Sequence, residues 1–382
     1  MATLRDVVTV LDELYDPRWA DDWDAVGTVA GDPDAVVAKI LFAVDPVQAV
    51  VDEAVAWGAD LVVTHHPLYL KGVTSVAATT PKGAVLHTLL THGIALHTCH
   101  TNADSPALGV SESMALALGL TEVRPLEPDA ADPLDKWVTF VPRGDVEKVA
   151  AAMTDAGAGA IGLYDSCTFR SSGTGTFRPR DGAQPAVGHV GDLERVDETK
   201  LEMVATRAVR AQVLHALRSV HPYEEPAFDL LELAATASEN RGSGRIGVLP
   251  ETMTLGSFAE LVTRRLPAHR SATRVAGDLD RPVRTVALCG GSGDFLLSTA
   301  DALGADAYVT SDLRHHPVSE HLERPGACGV IDVPHWAAEW TWLPVAAREV
   351  VARAGDTVEA RISTLVTDPW SATVIPSTRS TP

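Results

Sequence analysis

Cysteine is scarce in this chain: four in 382 residues, Cys99, Cys167, Cys289 and Cys328, with no CxxC pair. Such spacing offers neither a disulfide framework nor a zinc knuckle, and it points to a reducing compartment. Basic residues are also in deficit, 31 against 51 acids, for a formal net charge of -20. A field of that sign repels phosphate backbones and anionic lipid surfaces, which argues against nucleic acid as a partner. A small anionic substrate stays compatible, because a metal centre and a few arginines reverse the potential inside one cleft. No apolar run approaches the roughly 18 residues of a membrane span. The opening MATLRDVVTVLDELYDP carries acids on an amphipathic helical pattern and lacks the basic flank and apolar stretch of a signal peptide. The expectation is a cytoplasmic protein with no membrane partner. A Walker-type glycine loop with a lysine is missing too, and GGSG at Gly290 to Gly293 reads as a tight turn sooner than as a phosphate cradle.

What is present is a globular balance, 46% hydrophobic and 21% charged, over a length that a simple prior divides into roughly two to three domains. From Val37, VAKILFAVD reads as a buried strand, PVQAVVDEAVAWGAD as a helix that starts at a proline and stops at Gly58, and LVVT as a second strand. GAVLHTLLTHG, IALHT and SESMALALGL continue the alternation as helix, strand and helix. The pattern returns late, from VRTVALCGG through DAYVTSD and CGVIDV, and closes with one helix over AAEWTWLPVAAREVVARAG and a strand at VEARISTLV. The fold class is therefore α/β, with mostly parallel sheets covered by helices on their faces. Between these stretches, about Asp135 to Leu233, the text changes to an α+β insertion rich in glycine punctuation. The expected divisions are residues 1–132 and 236–370 for the two parts of one α/β domain, 133–235 for the insert, and 371–382 for a flexible tail.

Three clusters could carry chemistry, each just past a strand, where ligands collect in open parallel sheets. In THHPL, His65 and His66 share a site only if the chain has left the strand, since strand neighbours point to opposite faces; Pro67 encourages that exit. In HTCHTNAD, Asp104 is the preferred ligand, able to bridge two ions, with His100 as support. In IDVPHWAAE, His335 and Glu339 are four apart and fall on one helical face. The competing readings are a hydrogen-bonded core histidine, a capping aspartate and a solvated helix start. Taken together, three imidazoles and two carboxylates suit two divalent ions such as Zn, Mn or Fe better than magnesium.

At these residues the chain resembles the family of GTP cyclohydrolase 1 type 2 homologues, the NIF-three-like proteins. The matching stretches are WDAVGTVAGD, THHPLYLKG, HTNADSPALGVSESMA, CGGSGDF, YVTSDLRHH and IDVPHWAAE, in order along nearly the whole chain. The resemblance implies that His65, His66, Asp104, His335 and Glu339 are dinuclear metal ligands and that the protein assembles as a homohexamer. The middle stretches GAGAIGLYDSCTF, GTGTFRP and HPYEEPAFD resemble the insert of longer bacterial members, similar to PII-like and CutA-like domains. Two departures stand out: Thr310-Ser311-Asp312 where the family usually has Thr-Gly-Asp, and Pro334 where glycine is common.

The chemistry implied is hydrolysis, since paired ions generate a nucleophile from water and polarise the bond it attacks. The expected reaction is opening of the imidazole ring of a guanine nucleotide, with His100 or His316 relaying protons. His315 and His316 also stand as a rival ligand pair. The alternatives are a metal-binding regulatory ring without that activity, and a metal-dependent phosphatase or nuclease. Trp336, Trp340 and Trp342 surround the late motif but are assigned to packing.

Overall fold

The structure is a computed structural model that describes residues 2–355 and 357–374. Of the tail expected over 371–382, residues 375–382 lie outside the described residues, and 371–374 are exposed and form neither helix nor strand. Two compact units are present, one built from Met1–Asp129 with Glu239–Pro382 and the other from Ala130–Ser238. Among the described residues, no helix is long and apolar enough to cross a membrane.

The first unit holds two sheets. One runs, edge to edge, through Gly27–Ala30, Ala95–Thr98, Leu61–Thr64, Lys39–Ala43 and Glu359–Ile362. Three of its four pairings are parallel and only the Gly27–Ala30 edge is antiparallel. The apolar runs explain this, because strands covered by helices on both faces need apolar side chains on both: all four residues of Leu61–Thr64 are buried, as are all four of Ala95–Thr98. The helix Gln48–Trp57 that joins two of these strands ends as its sequence requires, with Gly58 in the left-handed region at φ +72° capping its last carbonyls.

The second sheet orders Arg274–Ala276, Gly329–Asp332, Ala307–Ser311, Pro282–Ser292, Ala237–Thr254 and Thr121–Ala130. Its three central strands are parallel, with antiparallel partners outside them. One hydrophobic core joins both sheets, from Ile40, Phe42, Leu61 and Val63 to Val286, Leu288, Val309 and Ile331. The single late helix expected from the sequence is instead two, His335–Trp340 and Leu343–Ala354. Pro344 stands in the first turn of the second, where its missing N–H costs nothing; inside one continuous helix it would remove a bond and clash with the preceding turn. The break lets Trp342 turn inward, fully buried, with its ring 5.4 Å from Tyr15 and 5.7 Å from His65.

The unit Ala130–Ser238 is a β-α-β-β-α-β arrangement: Leu134–Pro142, helix Val146–Asp155, Phe169–Phe177, Glu194–Thr206, helix Arg210–Val220 and Phe228–Glu232. Its sheet places Glu194–Thr206 between Phe169–Phe177 and Leu134–Pro142, with Phe228–Glu232 at the far edge, and every pairing is antiparallel. Trp137, Val141, Leu201 and Met203 face Val149, Met153, Val213 and Leu217 of the two helices. Asp135, at the start of the first strand, is buried between Arg207 and Arg210, the latter binding both carboxylate oxygens.

Burial also leaves an acid-sensitive group in the first unit. His97, 1% exposed in the strand Ala95–Thr98, shares a hydrogen bond with Thr28 Oγ1, and burial lowers its pKa to about 4. The folded protein therefore binds fewer protons than the unfolded chain between about pH 6.5 and 4, and stability falls as pH drops through that window. The expected loss is about 3 kcal/mol. Urea unfolding at pH 7.5 and pH 4.5 checks it: the loss shrinks in His97→Gln, and an equal loss in both proteins contradicts the assignment.

Candidate metal centre

The functional side chains gather where parallel strands of both sheets end. Beyond Thr64 the chain stays tethered to the neighbouring strand's extension, His65 N–H donating to Ala43 O and His66 N–H to Val44 O, while Thr64 Oγ1 bonds His66 O. This turn brings two sequential imidazoles to one side, with ring centroids 5.2 Å apart. Past Thr98, His100 precedes the short helix Thr101–Asp104, and its ring lies 5.1 Å from His65 and 5.6 Å from His66. Past the strand Gly329–Asp332, the helix His335–Trp340 presents His335 Nε2 2.7 Å from Glu339 Oε1.

Glu339 is the centre of the cluster. Its carboxylate is almost fully buried, with Oε1 also 3.4 Å from His65 Nε2 and Oε2 3.1 Å from His66 Nε2. Oε2 makes no hydrogen bond among the described residues. Asp104 sits at the edge, over a third of its side chain exposed, with Oδ1 3.7 Å from His65 Nε2. His65, His66 and His100 form one group whose ligand atoms all lie within 4.8 Å of one another, and His66, His335 and Glu339 form a second. An orphaned buried carboxylate oxygen among imidazole nitrogens fits borderline divalent ions.

Each of the four imidazoles is fixed through its other nitrogen. Nδ1 of His65 meets Cys99 O at 2.9 Å; Nδ1 of His66 meets Asp45 at 2.7 Å; Nδ1 of His100 meets Asp24 at 2.7 Å; Nδ1 of His335 meets Asp312 at 2.6 Å. Holding Nδ1 selects the orientation in which Nε2 is offered inward, the arrangement that supports metal-ligating histidines. Electrostatics follow from the same contacts. Burial disfavours a charged His66, yet the Glu339 and Asp45 carboxylates outweigh it and raise its pKa to about 10. Burial likewise opposes a charged His335, and Glu339 with Asp312 raises it to about 11. Burial alone would raise Glu339, but His66, His65 and His335 hold it well below the usual carboxylate range. The cluster is thus a buried negative charge that demands positive charge beside it.

Asp24, Asp45 and Asp312 were not singled out as site residues by the sequence. Asp24 lies in WDAVG and also accepts from Thr101 N and Oγ1; Asp312, at φ +58°, is turned toward His335. A weak signal existed, since each follows an apolar strand or sits in a motif already quoted, but nothing in the sequence pairs it with its histidine. His316, expected as a proton relay, is not brought into the cluster. It is exposed, in the first turn of the helix His315–Leu322, with its ring 5.1 Å from that of His315. Asp312, itself exposed, reaches His335 from the surface, and the two histidines that follow stay exposed as well.

GGSG, expected as a tight turn, is instead the end of the strand Pro282–Ser292, set against the cluster. Gly291, at φ +71°, would place a Cβ 2.9 Å from Glu339 Oε1, and its carbonyl accepts from Thr310 Oγ1. Gly291→Ala should therefore combine backbone strain with displacement of Glu339. Its metal affinity is expected to fall about tenfold or more, the cost typical of disturbing a ligand's support; unchanged affinity by competition with a chelator would contradict this contact. A separate group, Asp301, His321 and Cys328, lies between the helices Leu297–Ala302 and His315–Leu322 and the strand Gly329–Asp332.

A cleft of about 710 Å³ opens beside the cluster, bordered by His66, His335, Asp312, Arg274, Trp336 and Trp370. An α/β unit with imidazoles and a buried carboxylate converging at strand ends defines a class of candidate metal-binding protein. The particular family is equally plain: residues 2–369 match the family model described as Duf34/NIF3 (NGG1p interacting factor 3), and the chain belongs to that family. It is 49% identical to a Mycobacterium bovis protein named GTP cyclohydrolase 1 type 2 homolog, covering 96% of both chains. A Streptomyces coelicolor protein of the same name is 37% identical over 98% of this chain and 95% of its own. Among solved structures, the Bacillus cereus protein related to NIF3 superposes with a TM-score of 0.83 at 34% identity, covering 97% of this chain and 98% of that one.

Proposed function

We propose that His65, His66, Asp104, His335 and Glu339 hold two divalent ions, of the Zn, Mn or Fe type, and that the protein is a metal-dependent hydrolase opening the imidazole ring of a guanine nucleotide. The observation that carries this reading is the convergence of oriented Nε2 atoms on one buried carboxylate with an unbonded oxygen. Bound there, two ions would supply Lewis acidity and a nucleophile from water at neutral pH. The protein's own contribution is positional. Asp45, Asp312 and Cys99 O fix the ligating rings, and the exposed edge at Asp104 leaves room for substrate. His100, held at Nδ1 by Asp24, offers Nε2 for proton transfer next to His65 and His66. The adjoining cleft is large enough for a nucleotide, and its indole walls suit a base. That open space favours a catalytic over a closed structural site. The relatives' shared name points to GTP for them, and this reading extends it to the present chain.

The same proposal includes a homohexamer, a cytoplasmic location and a PII-like insert. The first two rest on the resemblance and the composition; the β-α-β-β-α-β order of Ala130–Ser238 supports the third. The test is incubation of metal-loaded protein with GTP, following loss of guanine absorbance and the ring-opened product by mass. Turnover that disappears in Glu339→Gln supports the reading. Intact GTP, or phosphate release without ring opening, overturns the cyclohydrolase assignment.

A further inference from the structure

The two motifs of the insert that the metal centre leaves unexplained, GTGTFRP and HPYEEPAFD, line one cavity. It measures about 680 Å³ and lies within Ala130–Ser238, bordered by Phe140, Gly175, Phe177, Glu198, Lys200 and Tyr223. In the strand Glu194–Thr206, Leu201 and Met203 face the helices, so Glu198 and Lys200 project from the opposite face, onto which the cavity opens.

Glu198 is the unusual residue. It is 8% exposed, and its Oε1 accepts a 2.7 Å hydrogen bond from Tyr223 OH, whose pKa burial and the Glu198 carboxylate both raise. Among the described residues no cation lies within ion-pair distance of it and no donor is bonded to Oε2; Lys200, its neighbour on the same face, is paired with Glu202 instead. With one donor at Oε1, the carboxylate keeps acceptor capacity at Oε2 for a ligand in the cavity. The glycine motif makes room for it. Gly173 pairs directly with Glu198 across the strands, and a Cβ on Gly175 would come 2.1 Å from Glu198 Oε2. Aromatic surface stands beside the carboxylate, with the Phe177 and Tyr223 rings 5.6 Å apart.

We infer that this cavity binds a planar heterocycle that presents two adjacent N–H donors to Glu198, the aminopyrimidinone edge found in guanine and in pterins. A carboxylate supplies only acceptors, so it selects a donor edge. Adenine lacks that pair, and hypoxanthine lacks the exocyclic amine. The aromatic rings supply stacking surface whatever the base, so Glu198 determines which ring is accepted. This site is separate from the proposed hydrolytic one and does not depend on it.

Calorimetric titration of the full-length protein with guanosine, inosine and adenosine tests the inference. Guanosine should bind, with inosine and adenosine at least about tenfold weaker, because each loses one of the two hydrogen bonds to the carboxylate. Glu198→Gln and, as a variant that leaves the carboxylate in place, Phe177→Ala should each weaken guanosine about tenfold or more. Absence of guanosine binding overturns the inference, as does wild-type affinity in both cavity variants. That last result assigns the nucleoside to the metal cluster and leaves the hydrolase reading standing.

Discussion

Arg245→Met should destabilise the protein by about 3–5 kcal/mol, the largest loss expected of any single substitution outside the hydrophobic core. The guanidinium is fully buried in the strand Ala237–Thr254. Its NH1 donates to Gly242 O and Gly244 O, its NH2 to Ser105 O and Pro106 O, and its Nε to Glu112 Oε2 at 3.1 Å. Methionine fills similar volume but withdraws the charged donor from Gly242 O, Gly244 O and the Glu112 carboxylate, leaving Ser105 O and Pro106 O with one backbone donor each, and buried groups stripped of a charged donor lose far more than an exposed ion pair is worth. Ser105 directly follows Asp104, so the same substitution should loosen the edge of the metal cluster. Denaturant unfolding of the two proteins measures the first effect; a difference under about 1 kcal/mol would mean that water replaces the guanidinium at those carbonyls.

Glu339→Ala should remove most of the bound metal and with it any hydrolytic activity. Three imidazole Nε2 atoms lie within 3.4 Å of that one carboxylate, which makes it the shared partner of both ligand groups. Metal content should drop from about two ions per chain to below about one, the remainder held by His65, His66 and Asp104. Asp45→Asn and Asp312→Asn provide the graded comparison: each keeps the ligand but weakens the acceptor at Nδ1, for a loss of about 10- to 100-fold in affinity. If all three variants lose metal equally, the cluster responds to general disruption and not to ligand identity. If Glu339→Ala retains the wild-type content, the carboxylate is not a ligand.

Much of this centre was legible because its signals are local. The apolar run LVVT ending in His-His-Pro, and His335 four residues before Glu339, need no tertiary knowledge to be placed at a strand end and on one helix face. The parallel sheets were legible for the same reason, since uninterrupted apolar strands alternating with helices have few other solutions. The partners of the histidines were not. Asp24 and His100 are 76 residues apart and Asp312 and His335 are 23 apart, and a loop carboxylate gives no periodicity to reveal which ring it will hold. Arg245 was hidden likewise, since an arginine in a polar-looking strand reads as solvated until the backbone carbonyls around it are seen. The histidine pair at His315 misled because it repeats the His-His-Pro of His65, yet it opens the helix His315–Leu322 with both residues exposed, whereas His65 directly follows a buried strand.

The metal content of the wild-type chain, purified without chelator and measured by elemental mass spectrometry beside Glu339→Ala, tests the central claim most directly. The account predicts about two divalent ions per chain in the wild type and a loss of at least one in the variant. Fewer than about half an ion per chain in wild-type protein, even after reconstitution with zinc, manganese and iron, would contradict it, as would full content in the variant.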